Sequence, residues 1–220
     1  MRMEAVSKAQ MEEIDRIVPE KYGISTGRLM ENAGLQVAEA VRDHAVERKV
    51  SVYVGKGDNG GDGMVTARRL SNWDFQVEVV LASENLEGKR KEELEILKKM
   101  DIEINIQESE KDYPVAIDGL IGYSLSGDPR PPFDSMIREI NSFEQVFSID
   151  IATGLSAETG DIFRPAVNPD TTVTLAAPFD KMSEGNSGRI LVADIGVPPE
   201  AYQEFGKKIV FEKSSLIRFN

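Results

Sequence analysis

Seven short apolar segments recur along the chain, and most carry apolar side chains at nearly every position. Strands that are apolar throughout, separated by helical stretches, are typical of a parallel sheet covered on both faces. The pattern predicts an α/β fold: a three-layer α/β/α sandwich, Rossmann-like, with a mostly parallel central sheet. The predicted strands are 51–55, 76–82, 103–106, 114–120, 145–150, 171–177 and 190–196.

Helical periodicity precedes and separates these strands. The first helix begins at a capping box formed by Ser7 and Gln10, and we expect it to end at Pro19 because proline interrupts helices. No repeat or linker breaks the chain, so residues 1–220 are predicted to form a single domain. No long helix separates the last two strands, so that edge of the sheet is expected to be partly antiparallel. Further helices are predicted at 27–44, 63–73, 85–100 and 131–142.

Composition excludes several classes of chemistry. The absence of cysteine removes disulfides and thiolate chemistry, and the single histidine, His44, lies in a charged stretch typical of an exposed helix end. Proton transfer must then fall to carboxylates, lysine or tyrosine. The net charge of −12 opposes binding to nucleic acid. No apolar run is long enough to span a membrane and the N-terminus lacks a secretory pattern, so we expect no membrane partner and a cytoplasmic protein.

Aspartates stand where three of the predicted strands end. The first strand is followed by 58–63, and Asp118 and Asp150 end two later strands before glycine-containing turns. Ligands of open α/β sheets bind outside the carboxyl ends of the strands, so these three loops should meet on one side. Asn59, Asp118 and Thr153 could together ligate a hard cation through oxygen atoms.

The turn after the first strand matches a dinucleotide fingerprint at Gly55, Gly57 and Gly60, yet it also carries two aspartates. Glycines let backbone amides approach a phosphate, and a nearby cation would offset the acids. The turn is therefore interpreted as holding a phosphate-bearing molecule beside a cation. Simpler alternatives stay open: such aspartates often cap helices, Tyr123 could pack on the core, and Thr153 could be a plain turn hydroxyl.

The ordered motifs at 29–34, 57–63, Asp118 with 122–128, 148–151 and 192–196 resemble the YjeF N-terminal domain family, whose enzymes are NAD(P)H-hydrate epimerases. The likeness runs from about residue 5 to residue 200. It implies interconversion of the R and S forms of NADH and NADPH hydrated at C6 of the nicotinamide ring. A separate S-specific dehydratase would then restore the cofactor.

The resemblance also implies a set of site residues. Asp150 would be the catalytic group, and Asn59, Asp118 and Thr153 would hold one potassium ion per subunit of a homodimer. The hydrate would be bound by Asp58, Asn59, Gly60, Gly61, Asp62, Gly122, Tyr123, Ser124, Leu125, Ser126, Gly127, Asp128 and Asp150.

Three positions depart from the family pattern. Asp58 replaces the usual first Asn of the turn, and Ala152 with Thr153 replaces the usual Pro-Ser. Thr153 keeps the hydroxyl, whereas losing the proline is expected to loosen the turn. Lys181 is an uncertain match to a family lysine.

Two other functions are compatible with the sequence. Some relatives of this fold, including scaffolds that promote mRNA decapping, are non-catalytic binding modules. A nicotinamide-dependent dehydrogenase is the other alternative, with Glu84 as its ribose-binding acid. Since no dehydratase domain follows within the 220 residues, an epimerase would be expected to work with a dehydratase on another chain.

Overall fold

A computed structural model of the protein describes residues 3–211 and 214–219. The predicted single domain, 1–220, therefore includes a few residues outside the described ones and stays a prediction. The helices are α1 (Lys8–Tyr22), α2 (Thr26–His44), α3 (Asp58–Asn72), α4 (Gly88–Lys99), α5 (Phe133–Ile140), α6 (Glu184–Ser187) and α7 (Pro199–Gln203). The strands are β1 (Lys49–Val54), β2 (Gln76–Leu81), β3 (Glu103–Ile106), β4 (Val115–Gly119), β5 (Gln145–Ile149), β6 (Thr171–Leu175), β7 (Arg189–Ala193) and β8 (Leu216–Arg218).

All eight strands lie in one sheet, in the order β3-β2-β1-β4-β5-β6-β7-β8. Every pairing is parallel except that of β7 with β8, which confirms the predicted α/β fold. The expected antiparallel edge is present, but β8 forms it, whereas the last two predicted strands are parallel to each other. The three residues of β8 are too few to give a recognisable pattern.

Two apolar layers cover the sheet. Alternate strand residues such as Val52, Ile117 and Ile149 pack with buried residues of α1 to α4. The residues between them, including Tyr53 and Ala116, pack against α5 on the opposite face. This alternation is the geometric consequence of strand pleating and produces the three-layer arrangement.

The first helix differs from its prediction. Pro19 does not end α1, which continues to Tyr22 and closes at Gly23 with a left-handed φ of 67°. A proline removes one backbone hydrogen bond, but here it lies in the final turn of a helix whose apolar face is already buried through Ile14 and Val18. Tertiary packing thus outweighs the local cost.

The glycine turn after β1 also differs from its prediction. Residues 58–62 are not a loop before a helix at 63; they are the first turn of α3. α2 approaches this helix closely, because a Cβ added to Gly34 would lie 2.4 Å from the Val65 side chain. A Cβ added to Gly61 would likewise lie 2.4 Å from Met30 Cε. Close packing by small residues therefore fixes where α3 begins.

The order in which the chain adds strands to the sheet reverses between β1 and β4. From β1 the chain proceeds outward to β2 and β3, and from β4 it proceeds the other way. Such a switch point leaves a crevice at the carboxyl ends of the two strands. Within 3–211 and 214–219, no helix is both long and apolar enough to cross a membrane.

Candidate active site

The carboxyl ends of β1 and β4 meet with almost no space between their backbones. The Gly55 amide donates to the Gly119 carbonyl at 3.0 Å, and a Cβ on Gly55 would lie 1.7 Å from the Leu120 carbonyl oxygen. A Cβ on Gly60 would lie 2.1 Å from the Gly55 carbonyl oxygen. These glycines serve close backbone packing at the switch point; that they bring amides to a phosphate stays a prediction.

Asp118, near the end of β4, is fully buried and accepts several hydrogen bonds. Its carboxylate accepts hydrogen bonds from the Thr153 amide at 2.9 Å and the Thr153 hydroxyl at 2.7 Å. The Ser148 hydroxyl and the Leu120 amide donate to it at 2.8 and 3.2 Å. Burial raises the pKa of Asp118, and these four hydrogen bonds oppose the shift. Thr153 is therefore more than a turn hydroxyl, because it joins the loop after β5 to the end of β4.

Asn59 is a nearby residue whose side-chain amide makes no hydrogen bond to the described residues. The residue is 8% exposed, and neither its Oδ1 nor its Nδ2 has a hydrogen-bond partner among the described residues. A buried polar group without a partner is costly, so such a group commonly indicates a missing ligand. An amide oxygen here, with the Thr153 hydroxyl and the Asp118 carboxylate, suits a hard monovalent cation.

The donor set contains only one acid. In the described part of the chain, no group of three or more His, Cys, Asp or Glu side chains could hold a metal ion. Transition metals prefer such nitrogen, sulfur and carboxylate groups, whereas neutral oxygens with a single carboxylate match a weakly charged ion. Oxygen donors with one carboxylate are compatible with the expected potassium ion, whose binding stays a prediction.

Asp150 occupies a strained position at the end of β5. Its φ is 64°, in the left-handed region that few residues with a side chain adopt. The carboxyl group is almost entirely buried, and the one hydrogen bond that its Oδ1 accepts from the residues described is a 3.4 Å bond from the Leu175 amide. Burial raises the pKa of Asp150 to about 7, the Leu175 amide opposes this, and the charge of Asp15 adds to it. Strained residues with such a pKa cluster at active sites.

Two further acids near the start of α3 behave differently from one another. Burial raises the pKa of Asp62 well above its ordinary value, and the nearby charge of Asp150 adds to the effect. Asp58 is exposed, and its carboxylate pairs with Arg90 of α4 at 2.6 Å. The acid that departs from the family pattern is therefore partly neutralised.

The segment 122–128 leaves β4 and crosses the site. A Cβ on Gly122 would lie 3.5 Å from Asn59 Cβ and 3.8 Å from Asp150 Oδ2. Tyr123 packs its ring against Phe179 with the centroids 5.4 Å apart. The remaining predicted binding residues lie further out: Ser124 and Ser126 are exposed, Leu125 and Gly127 are half-buried, and Asp128 accepts a 2.9 Å bond from the Arg164 amide.

The structure thus brings most of the predicted residues together. Asn59, Gly122 and Asp150 meet directly, and Asp118 with Thr153 lies beneath them. Asp58 turns outward to Arg90 and Asp128 lies at the rim. Gly60, Gly61 and Asp62 lie in the first turn of α3, buried beside the crevice. No described contact tests whether any of these residues binds a substrate, so their roles stay predictions.

The sequence did not indicate several residues that contact the site. Ser148 supports Asp118, and its hydroxyl in an otherwise apolar strand was an available signal. Arg90 and Asp15 lie on helices far away in sequence and gave no signal. The Ala152 carbonyl accepts the Leu155 amide at 2.9 Å, and loosening of this turn by the loss of the proline stays a prediction. The alternative ribose acid Glu84 is exposed beyond the end of β2.

Several predictions about other residues can be compared with the structure. His44, predicted to lie at an exposed helix end, is exposed at the end of α2. Lys181 lies against Gly160 and pairs with its neighbour Asp180 at 3.5 Å. Its role as a family lysine stays a prediction.

Comparison with known proteins identifies relatives across the chain. The sequence model of the family described as YjeF-related protein N-terminus matches residues 26–180. A bifunctional NAD(P)H-hydrate repair enzyme Nnr of Moorella thermoacetica is 32% identical over 94% of this chain, and the chain spans 44% of that protein. An NAD(P)H-hydrate epimerase of Dehalogenimonas lykanthroporepellens is 31% identical over 90% of this chain and 84% of its own length.

A solved structure shares the whole fold. The crystal structure of yeast ynu0 superposes with a TM-score of 0.86, covering 99% of this chain and 100% of its own, at 24% identity. Identity at that level supports the fold alone. The first listed curated relatives are roughly twice as long as this chain, which spans less than half of the Moorella protein.

Proposed function

The chain belongs to the YjeF-related protein N-terminus family, and we propose that it interconverts the R and S epimers of hydrated NADH and NADPH. Two of its relatives carry names that state this repair chemistry, and one of them has nearly the same length as this chain. The reaction inverts a carbon that bears a hydroxyl group beside a ring nitrogen. Such a step needs controlled proton transfer rather than a redox cofactor.

The observation that carries the proposal is Asp150. A carboxyl group whose pKa is about 7 is present in both protonation states near neutral pH, so it can give and take a proton. During inversion, one proton must reach the departing oxygen and one must leave the oxygen that replaces it. One buried carboxyl can do both in turn, and its Oδ2 lies beside Gly122 at the crevice.

A bound potassium ion would be held by Asn59, Asp118 and Thr153. Its positive charge would offset the negative charges around the crevice and favour binding of a phosphate-bearing molecule. The unpartnered Asn59 amide supports this assignment. The N-terminus of α3, where no side chain caps the helix, lies beside these residues and suits an anionic group of the substrate.

The proposal has consequences beyond the chain itself. An epimerase yields S hydrate that a dehydratase must consume, so we infer a dehydratase activity as its partner in repair. Action in the cytoplasm and as a homodimer remain predictions, and the site as described uses residues of one chain only.

A coupled assay tests the proposal. Pure R hydrate of NADH is supplied with an excess of an S-specific dehydratase, and recovery of NADH absorbance is followed with and without the protein. We expect recovery to be far faster with the wild-type protein, and Asp150→Asn to reduce the added rate by about 100-fold or more. Recovery at the protein-free rate would contradict the proposal.

Asp74→Asn is the matched control. Asp74 is exposed, lies away from the crevice, and has a φ of 66°, close to that of Asp150. The same chemical change in the same backbone conformation should leave the coupled rate unchanged. A similar loss in both variants would show that the effect is not specific to the carboxyl group of Asp150.

A further inference from the structure

An unassigned contact joins the N-terminal helix to the segment over the site. The Tyr123 hydroxyl donates a hydrogen bond to the Asp15 carboxylate of α1, across 108 residues of sequence. The Tyr123 ring also packs against Phe179 in the loop after β6. One side chain therefore connects three separate parts of the molecule at the mouth of the crevice.

The helix that supplies Asp15 is firmly attached. Ile14 and Val18, on either side of Asp15, are fully buried in the core. The residues before α1 pair with the loop after β6, since the Val6 amide donates to the Pro178 carbonyl at 2.9 Å and the Asp180 amide to the Val6 carbonyl at 2.9 Å. Asp15 is thus presented from a rigid support.

The segment 122–128 is otherwise weakly held. At its far end Asp128 accepts the Arg164 amide at 2.9 Å. Within the segment, the Leu125 amide donates a long backbone hydrogen bond to the Gly122 carbonyl at 3.4 Å. Since Ser124 and Ser126 are exposed, little packing replaces the missing bonds. The near end is held by the Ile121 amide, which donates to the Thr153 hydroxyl at 3.0 Å, by the Tyr123 ring on Phe179 and by the bond from Tyr123 to Asp15.

We propose that Asp15 is a positioning residue, which holds the 122–128 segment over the site by accepting the Tyr123 hydroxyl. Asp15 lies outside the 26–180 match to the family. The kinetic consequence rests on the proposed function: a segment that moves away from Gly122 would loosen the wall beside Asn59 and Asp150 and weaken binding of the hydrated nucleotide. The mechanical consequence does not depend on any activity.

Three variants separate the hydrogen bond from the charge. Tyr123→Phe removes one oxygen and keeps the ring on Phe179, Asp15→Ala removes the acceptor, and Asp15→Asn keeps an acceptor oxygen without the charge. Glu20→Gln is the control, because Glu20 is an exposed acid of the same helix whose carboxylate pairs with Arg16. Amide hydrogen exchange of 122–128 is measured for each, together with KM and kcat for the R hydrate of NADH.

A hydrogen bond to a charged group corresponds to roughly a tenfold change in the opening equilibrium. We expect exchange across 122–128 to accelerate roughly tenfold in Tyr123→Phe and Asp15→Ala, with a similar rise in KM and a smaller change in kcat. Asp15→Asn should exchange more slowly than Asp15→Ala, and Glu20→Gln should match wild type.

Unchanged exchange in both Tyr123→Phe and Asp15→Ala would overturn the inference. A loss of kcat alone, with exchange at the wild-type rate, would also overturn it. Should Asp15→Ala unfold, Tyr123→Phe decides the matter, because it removes a single atom at the surface of the site. If the wild-type protein does not act on the hydrate, the proposed function fails, while the exchange measurement still decides the role of Asp15.

Discussion

Asp150 combines three properties that rarely occur together in a structural residue. It has a left-handed backbone, a nearly inaccessible carboxyl group and few hydrogen-bond donors. Any of these costs stability, and fold requirements alone do not explain why an acid is kept there. Asparagine tolerates the left-handed region well, so Asp150→Asn removes the charge without adding backbone strain.

The ionisation of Asp150 should be visible in stability. Its folded pKa of about 7 lies above the ordinary value of 3.8, so the folded protein keeps a proton that the unfolded chain loses between these pH values. The stabilisation from this proton is complete below about pH 4 and is lost as the pH rises through 7. The side chain of Asp150→Asn stays neutral at every pH. Between pH 4 and pH 8, the free energy of unfolding of Asp150→Asn should therefore rise relative to that of wild type by up to about 4 kcal/mol.

Urea titrations of both proteins at these two pH values measure the difference. A gap between Asp150→Asn and wild type that stays constant with pH would show that the carboxyl titrates normally.

The sequence correctly predicted which acidic residues lie at the ends of strands. The aspartates 118 and 150 follow apolar runs, and parallel strands place such residues on one edge, so their proximity could be anticipated. The lack of a partner for Asn59 and the contact of Tyr123 with Asp15 depend on side-chain placement across long sequence distances. No local pattern encodes these contacts.

At the scale of elements, the start of α3 shows why local propensity failed. Glycine disfavours helices, so the run at 57–63 was interpreted as a loop. In the structure, the absence of side chains at Gly60 and Gly61 lets the helix meet β1 and α2, and this packing outweighs the propensity. Pro19 in α1 is a second case in which a buried face overrides a local signal.

Alanine substitutions test this packing argument. Gly60→Ala should lower the free energy of unfolding by about 1–3 kcal/mol, because its Cβ would meet the Gly55 carbonyl, which cannot move aside. Gly127→Ala is the control, since nothing lies within 4 Å of its Cβ and it lies outside the helices and strands. The measurement is the chemical denaturation midpoint, and equal midpoints for the two variants would refute the packing argument.

The connection between the ends of β4 and β5 is a second element-level feature. Thr153→Val removes a hydroxyl that donates to Asp118 and accepts from the Ile121 amide at 3.0 Å. We expect a loss of about 1–3 kcal/mol because buried groups lose partners, whereas Thr153→Ser should lose much less.

The same pair of variants tests the cation. Potassium should raise the melting temperature of wild type and of Thr153→Ser, but not that of Thr153→Val, relative to equal concentrations of tetramethylammonium. Identical potassium shifts in all three proteins would remove Thr153 from the proposed ion site.

At the scale of the whole molecule, the sheet order creates the site. The alternation of apolar runs predicted a mostly parallel sheet, because strands buried on both faces lack polar alternation. The short antiparallel β8 was not foreseen, since three residues carry no periodicity. The switch point between β1 and β4 then places the loops that follow these strands next to each other, whatever their sequences.

The central claim is that this crevice inverts one carbon of a hydrated nicotinamide nucleotide by proton transfer through Asp150. The most direct measurement starts from pure R hydrate of NADH and follows the appearance of the S epimer by chiral chromatography, with no dehydratase present. We expect rapid approach to an equilibrium mixture with wild type, and mixing at the protein-free rate with Asp150→Asn. Equal rates for wild type and Asp150→Asn, or no acceleration by wild type, would contradict it.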